Sequence, residues 1–138
     1  MKCFQWRTEN SKVFGTIERP VAEIWVQDKD GEWQNTVVYV DSGADVTILP
    51  RSFAHILGID IESGQYAIFG GIGAGRIETY IHKVKMKIGN YVSEVDVAFA
   101  VTNLVPSLLG RRDLFKTYEI QFKNMTEQTC FIKTRPMK

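Results

Sequence analysis

The chain has no long apolar run. None approaches the roughly 20 residues that a membrane-spanning helix needs, and the opening MKCFQWRTEN lacks the apolar core of an export signal, so export is not expected. Charge of one sign is also lacking: 17 Lys and Arg face 16 Asp and Glu, a net charge of +1. A nucleic-acid face would need clustered excess charge, so no nucleic-acid partner is expected. Lys83, Lys85 and Lys87 do alternate, but at a spacing that suits the solvated face of a strand. Cysteine and histidine are scarce. Cys3 and Cys130 stand near opposite ends, His55 and His82 are isolated, and no spacing suits a metal, so neither metal nor cofactor is expected. The expectation is two reduced thiols in a cytoplasmic protein, with a Cys3–Cys130 disulfide as the alternative.

What the chain does have is alternation with a period of two. PVAEIWVQ (20–27) reads as a strand, DKDGEW as a turn around Asp30-Gly31, and TVVYV (36–40) as a nearly continuous apolar run suited to a buried strand. After VTIL (46–49), PRSFAHILG has Pro50 at a helix start and Gly58 just past its end. RIETYIHKVKMKIG puts Tyr80, His82, Val84, Met86 and Ile88 on one face, opposite Thr79, Ile81 and the lysines. YVSEVDVAFAV places Val95, Val97, Phe99 and Val101 against Glu94, Asp96, Ala98 and Ala100. RRDLFKTY reads as a short amphipathic helix, EIQFK as a strand, NMTEQ as a turn and TCFIKT as a closing strand. At 138 residues this is one domain, all-β with one or two short helices, and its many short strands favour a closed barrel.

The chemistry concentrates in VVYVDSGADVTILP (37–50). Asp41 directly follows an apolar run, where a carboxylate is costly unless the fold gives it partners, which makes it a candidate functional group. Gly43 allows a sharp turn or a close approach by a ligand, and Ser42 can donate and accept. By itself Asp41 could equally cap a turn. Further along, FGGIGAG (69–75) could cradle a phosphate, form a mobile hairpin tip or be a plain turn. A phosphate loop needs a helix behind it, and RIETYIHKVKM alternates as a strand, so the hairpin tip is the better reading.

Asp-Ser-Gly-Ala, an acidic residue and Thr-Ile-Leu together resemble the active-site motif of retropepsins, the single-domain aspartic proteases of retroviruses and their cellular relatives. LLGRRDLF (108–115) is similar to that family's second signature, and it starts 67 residues after Asp41. FGGIGAG, lying between the two, resembles the glycine-rich flap tip (69–76). The three stand in the family's order, and the resemblance covers residues from about 15 to about 125.

The resemblance implies a retropepsin-like closed β-barrel assembling as a two-fold dimer, acting as an aspartic endopeptidase on extended peptides. It implies Asp41 as the catalytic residue, and Ser42 and Gly43 as dyad support, Gly43 also meeting substrate backbone. Asp45 would reach the substrate main chain and form a structural ion pair with Arg111. Ala44, Ile48 and Leu109 would line apolar pockets, although by residue type the last two are core candidates first. Gly71, Ile72 and Gly73 would form the flap tip. Hydrolysis of this kind needs two carboxylates, and the chain has one Asp-Ser-Gly, so a two-fold axis would have to supply the second. The rival is a non-catalytic peptide-binding dimer of the same fold; a monomeric β domain, with Asp41 merely capping a turn, is a third reading. Residues 1–15 stand before the resembling part as an N-terminal extension (pro-segment, interface arm or surface strand), and 124–138 as a C-terminal one.

Overall fold

A computed structural model describes residues 1–70 and 75–134. Among the described residues, twelve strands and two short α-helices follow one another in chain order, with a single 3-10 turn at Ile61–Ser63. The strands are β1 (Lys2–Gln5), β2 (Arg7–Ser11), β3 (Gly15–Arg19), β4 (Val21–Gln27), β5 (Trp33–Val40) and β6 (Thr47–Leu49), then β7 (Gln65–Gly70), β8 (Arg76–Ile88), β9 (Tyr91–Ala100), β10 (Leu108–Leu109), β11 (Tyr118–Lys123) and β12 (Gln128–Lys133). Helix α1 (Arg51–Leu57) follows β6, and α2 (Leu114–Thr117) follows β10.

Seven strands hydrogen-bond in the order β4-β5-β10-β6-β9-β8-β7. A further pairing of β4 with β8, Trp25 opposite Lys87 and Val26 opposite Met86, closes six of them into a barrel. β7 is left outside the ring as the arm of a long hairpin with β8. Closure removes the free edges that an open sheet would expose. The β4–β5 hairpin turns where the sequence places it. The Asp28 carboxylate accepts from the N–H groups of Asp30 and Glu32, and Gly31 takes a φ of 85°, which favours glycine. Helix α1 starts after Pro50 and ends at Gly58 in the left-handed conformation, its N–H returned to the carbonyl oxygens of Ala54 and His55.

The barrel interior holds Ile24, Val26, Val38, Leu49, Val84, Met86, Val95, Val97 and Phe99, closed at the ends by Leu57, Leu109, Leu114 and Phe131. Three features differ from the alternation read in the sequence. In β5 only Val38 and Val40 are buried, while Val37 faces outward, 42% exposed, so TVVYV is a one-sided strand. On β8 and β9 the second face is not uniformly solvated. Ala98 and Ala100 are buried with Val46 and Ile48, Ile77 and Ile81 pack against them, and Thr79 is buried with its hydroxyl donating to the Ala67 carbonyl. The charged face of β8 therefore gives way to an apolar one toward the strand's start. α2 is also shorter than RRDLFKTY suggested, because Asp113 takes a φ of 67°, outside helical geometry, while the Arg111 and Arg112 N–H groups go to the carbonyl oxygens of Ala44 and Asp45.

The terminal segments form their own sheet, β1-β12-β11, and residues 1–15 supply β1, β2 and the start of β3. β1 runs antiparallel to β12 with Cys3 opposite Cys130, and the two are joined by a disulfide. The expectation of two reduced thiols is thereby corrected. Cysteines 127 residues apart come into register only once the terminal strands pair. That removes the reduced-thiol support for a cytoplasmic setting.

Candidate active site

Asp41 stands at the end of β5, where that strand leaves the barrel. β10 lies beside β5, parallel, with Leu108 opposite Tyr39 and Leu109 opposite Val40, and on its other side Leu108 pairs with Ile48 of β6. The two sequence signatures, 67 residues apart, thus become neighbouring strands. The Asp41 N–H donates to the Leu109 carbonyl oxygen at 3.0 Å. The chain then turns tightly: the Ala44 N–H donates to the Asp41 carbonyl oxygen (3.2 Å), and the Gly43 N–H donates to the Asp41 carboxylate Oδ1 (2.9 Å). A Cβ at Gly43 would stand 3.3 Å from that same oxygen, so the small residue keeps the approach to the carboxylate open.

The second loop is stitched to the first. Arg111 and Arg112 donate their backbone N–H groups to Ala44 and Asp45, and the Arg111 guanidinium donates to the Asp45 carboxylate. The expected ion pair is present and exposed, with side chains 52% and 77% accessible. Such a pair contributes at most about 1 kcal/mol, and the backbone bonds do most of the fastening. Beneath them Thr47, fully buried, accepts the Gly110 N–H on its hydroxyl oxygen at 3.1 Å. At Gly110 a Cβ would lie 2.3 Å from the Val46 carbonyl oxygen. Only glycine lets the two loops come this close.

The expected residues divide by burial. Asp41 and Ala44 are half-buried, and Ser42, Gly43 and Asp45 are exposed, so the loop lies at the surface of the protomer. Ile48 is buried in the second apolar cluster beside Val46, Ala98 and Ala100. Leu109, a core candidate first, is fully buried in the main core. β-pleat geometry turns the neighbour Leu108, half-buried, to the opposite face. Gly71, Ile72 and Gly73 lie outside the described residues.

Sequence reading also missed an ionic cluster next to this site. The Asp96 carboxylate accepts from Arg112 Nε (2.9 Å) and lies 3.4 Å from Lys83 Nζ, while its backbone N–H donates to the Asp113 carboxylate (2.8 Å). The hydrogen bond from Arg112, aided by Lys83, holds the Asp96 carboxyl below the usual carboxylate range. A second missed network roots the β2–β3 hairpin two residues before Asp41. There the Tyr39 hydroxyl donates to Glu9 and accepts from Arg7, both at 2.7 Å.

Comparison with known proteins agrees with this geometry. The family model described as aspartyl protease matches residues 22–112, from β4 through both signature loops. No curated protein matches. Among solved structures, a retropepsin-like aspartic protease from Rickettsia conorii is similar over 93% of this chain and 95% of its own, at 20% identity and a TM-score of 0.58. The EIAV protease in complex with an inhibitor is 24% identical over 67% of this chain and 82% of its own, with a TM-score of 0.48. The Rickettsia likeness gives the fold, a retropepsin-like barrel, and the family match spans both loops that meet at Asp41. The chain belongs to the aspartyl protease family and is an aspartic-type endopeptidase with a retropepsin-like fold.

Proposed function

We propose that this protease works as a homodimer in which Asp41 and the partner subunit's Asp41 form the catalytic dyad. One observation carries the reading: a single Asp-Ser-Gly loop, braced from below by Gly110 and Thr47, presents one half-buried carboxylate at the protomer surface. One carboxylate cannot both activate water and protonate the departing group. A two-fold axis beside the loop supplies the second from an identical surface. Held in contact, two like charges share one proton, so the pair titrates as a unit. The ionised carboxylate takes a proton from water as its oxygen attacks the peptide carbonyl. The protonated carboxyl gives its proton to the carbonyl oxygen; as the C–N bond breaks, the proton drawn from water passes to the amide nitrogen and the other carboxylate takes one back from a hydroxyl of the tetrahedral carbon. No metal or cofactor enters this scheme.

The substrate is an extended peptide. Gly43 meets its backbone, Asp45 reaches its main chain while pairing with Arg111, and Ser42 bonds across the axis between the two loops. Ala44, Ile48 and the apolar surface around Ile77 and Ile81 take its side chains.

The test is digestion of a denatured protein mixture by wild type and Asp41→Asn, read by mass spectrometry from about pH 4 to 7, the range in which a carboxylate pair can share a proton. Cuts seen with wild type alone are expected. The same cuts from both proteins, or none from either, would overturn the assignment of Asp41.

A further inference from the structure

Beside the Asp45–Arg111 pair a groove of about 960 Å³ opens between the second signature loop and the barrel wall. One lip is apolar: Val46, Phe69 and Ile81 belong to the second apolar cluster or pack against it. The groove therefore continues the surface assigned above to substrate side chains. Its floor is ionic, and the ions do not balance. Four cations, Lys83, Arg111, Arg112 and Lys116, line it against three carboxylates, Asp45, Asp96 and Asp113. Asp45 is taken up by Arg111, while Asp96 alone serves both Lys83 and Arg112. The last two side chains are 59% and 61% exposed. A guanidinium carries five N–H donors, and Asp96 occupies the Nε of Arg112, so donors remain for an incoming acceptor. Asp96 also holds Arg112 and Lys83 at one place, so less side-chain freedom is lost when a ligand arrives.

We propose that this groove is an outer substrate subsite that selects a peptide carrying a carboxylate side chain a few residues from the cleaved bond, with Lys83 and Arg112 as the specificity-determining residues. This rests on the protease reading of the adjoining site. An acidic side chain lying along the groove accepts the spare donors. A basic one meets surplus positive charge and is disfavoured. The contacts are solvent-exposed, so the preference is modest and screened by salt.

The experiment uses the full chain and a set of unstructured peptides with one shared cleavage core. Glu, Gln and Lys are placed in turn at each position outward on both sides. Cleavage by wild type and equilibrium binding to Asp41→Asn are measured on the same peptides, at low and high salt. At one outer position Glu is expected to exceed Gln by about fivefold in kcat/KM through a lower KM, with Lys poorer still and the gap narrowing at high salt. Lys83→Gln/Arg112→Gln should give Glu and Gln peptides the same KM, and Lys83→Glu/Arg112→Glu should favour Lys. Should the charge reversal fail to fold, the Gln pair decides alone. A flat scan, or a Glu preference that survives the Gln pair, overturns the subsite. Cleavage without preference sinks the groove and leaves the protease. A Glu preference in binding to Asp41→Asn, with no peptide cut by wild type, does the reverse.

Discussion

Two parts of this molecule hold distant segments together by different means. At the Asp41 end, residues 41–45 meet 109–112 through backbone hydrogen bonds, a buried threonine hydroxyl and a glycine that no larger residue can replace. At the other, the terminal strands β1 and β12 form a separate three-stranded sheet with β11, packed on the barrel by Phe131, and β1 and β12 are joined by the Cys3–Cys130 bond. The first arrangement fixes atoms to within a hydrogen bond, which is what a water-activating pair of carboxylates requires. The second fixes chain ends, where a cross-link acts mainly by limiting the unfolded chain. Precision is concentrated where the chemistry is, and covalent restraint where the chain would otherwise fray.

The difference can be broken at either end. Removing the cross-link by Cys3→Ala/Cys130→Ala should cost the most stability, about 5 kcal/mol for a loop of this length, with cleavage retained wherever the protein remains folded. Denaturant unfolding with and without reductant measures it, and an unchanged midpoint would mean that packing alone secures the terminal sheet. Gly110→Ala should cost about 3 kcal/mol, because the atom in its way is backbone and cannot swing aside. Unlike the cysteine pair, it should also abolish cleavage in whatever protein still folds.

Two smaller effects refine the contrast. In the terminal sheet Tyr118 is buried, and among the described residues its hydroxyl has no hydrogen-bond partner. Tyr118→Phe should therefore add about 1 kcal/mol at neutral pH. Burial, with a lesser contribution from Tyr91, pushes the Tyr118 hydroxyl up to about 12. A raised folded value contributes stability that is complete below the ordinary tyrosine range and fades as pH climbs from about 10 toward about 12. The variant should lose less stability over that window. Near the active site the sign is opposite. Asp96 titrates below its usual range, so its contribution is present at neutral pH and is lost as pH falls below about 4. Asp96→Asn should flatten that acid limb by less than about 1 kcal/mol, since both cations are exposed. Thermal melts across pH read both changes.

How much of this was legible in the sequence follows the range of the forces. Local signals held: Asp30-Gly31 turned the β4–β5 hairpin, and Pro50 and Gly58 bounded α1. The loop pair was legible as two motifs. Their stitching was not, because the bonds from Arg111 and Arg112 use backbone groups, which every residue carries. The second apolar cluster left a trace, since Ile81, Ala98 and Ala100 interrupt an otherwise polar face. The exchange of Leu109 for Leu108 at the surface turns on a one-residue pleat phase in a two-residue strand, too short for alternation to settle. Cys3 and Cys130 were hidden by distance, and the Asp96 cluster by its spread over β8, β9 and the second loop.

On the proposed function, Asp41 works only as one of a symmetric pair. The direct measurement is to refold wild type and Asp41→Asn together in graded ratios at fixed total protein and follow peptide cleavage. If each active site needs both carboxylates, activity falls as the square of the wild-type fraction, to about one quarter in an equal mixture. Activity that falls in direct proportion, to about one half, would mean that a single chain carries its own catalytic centre and would contradict the account.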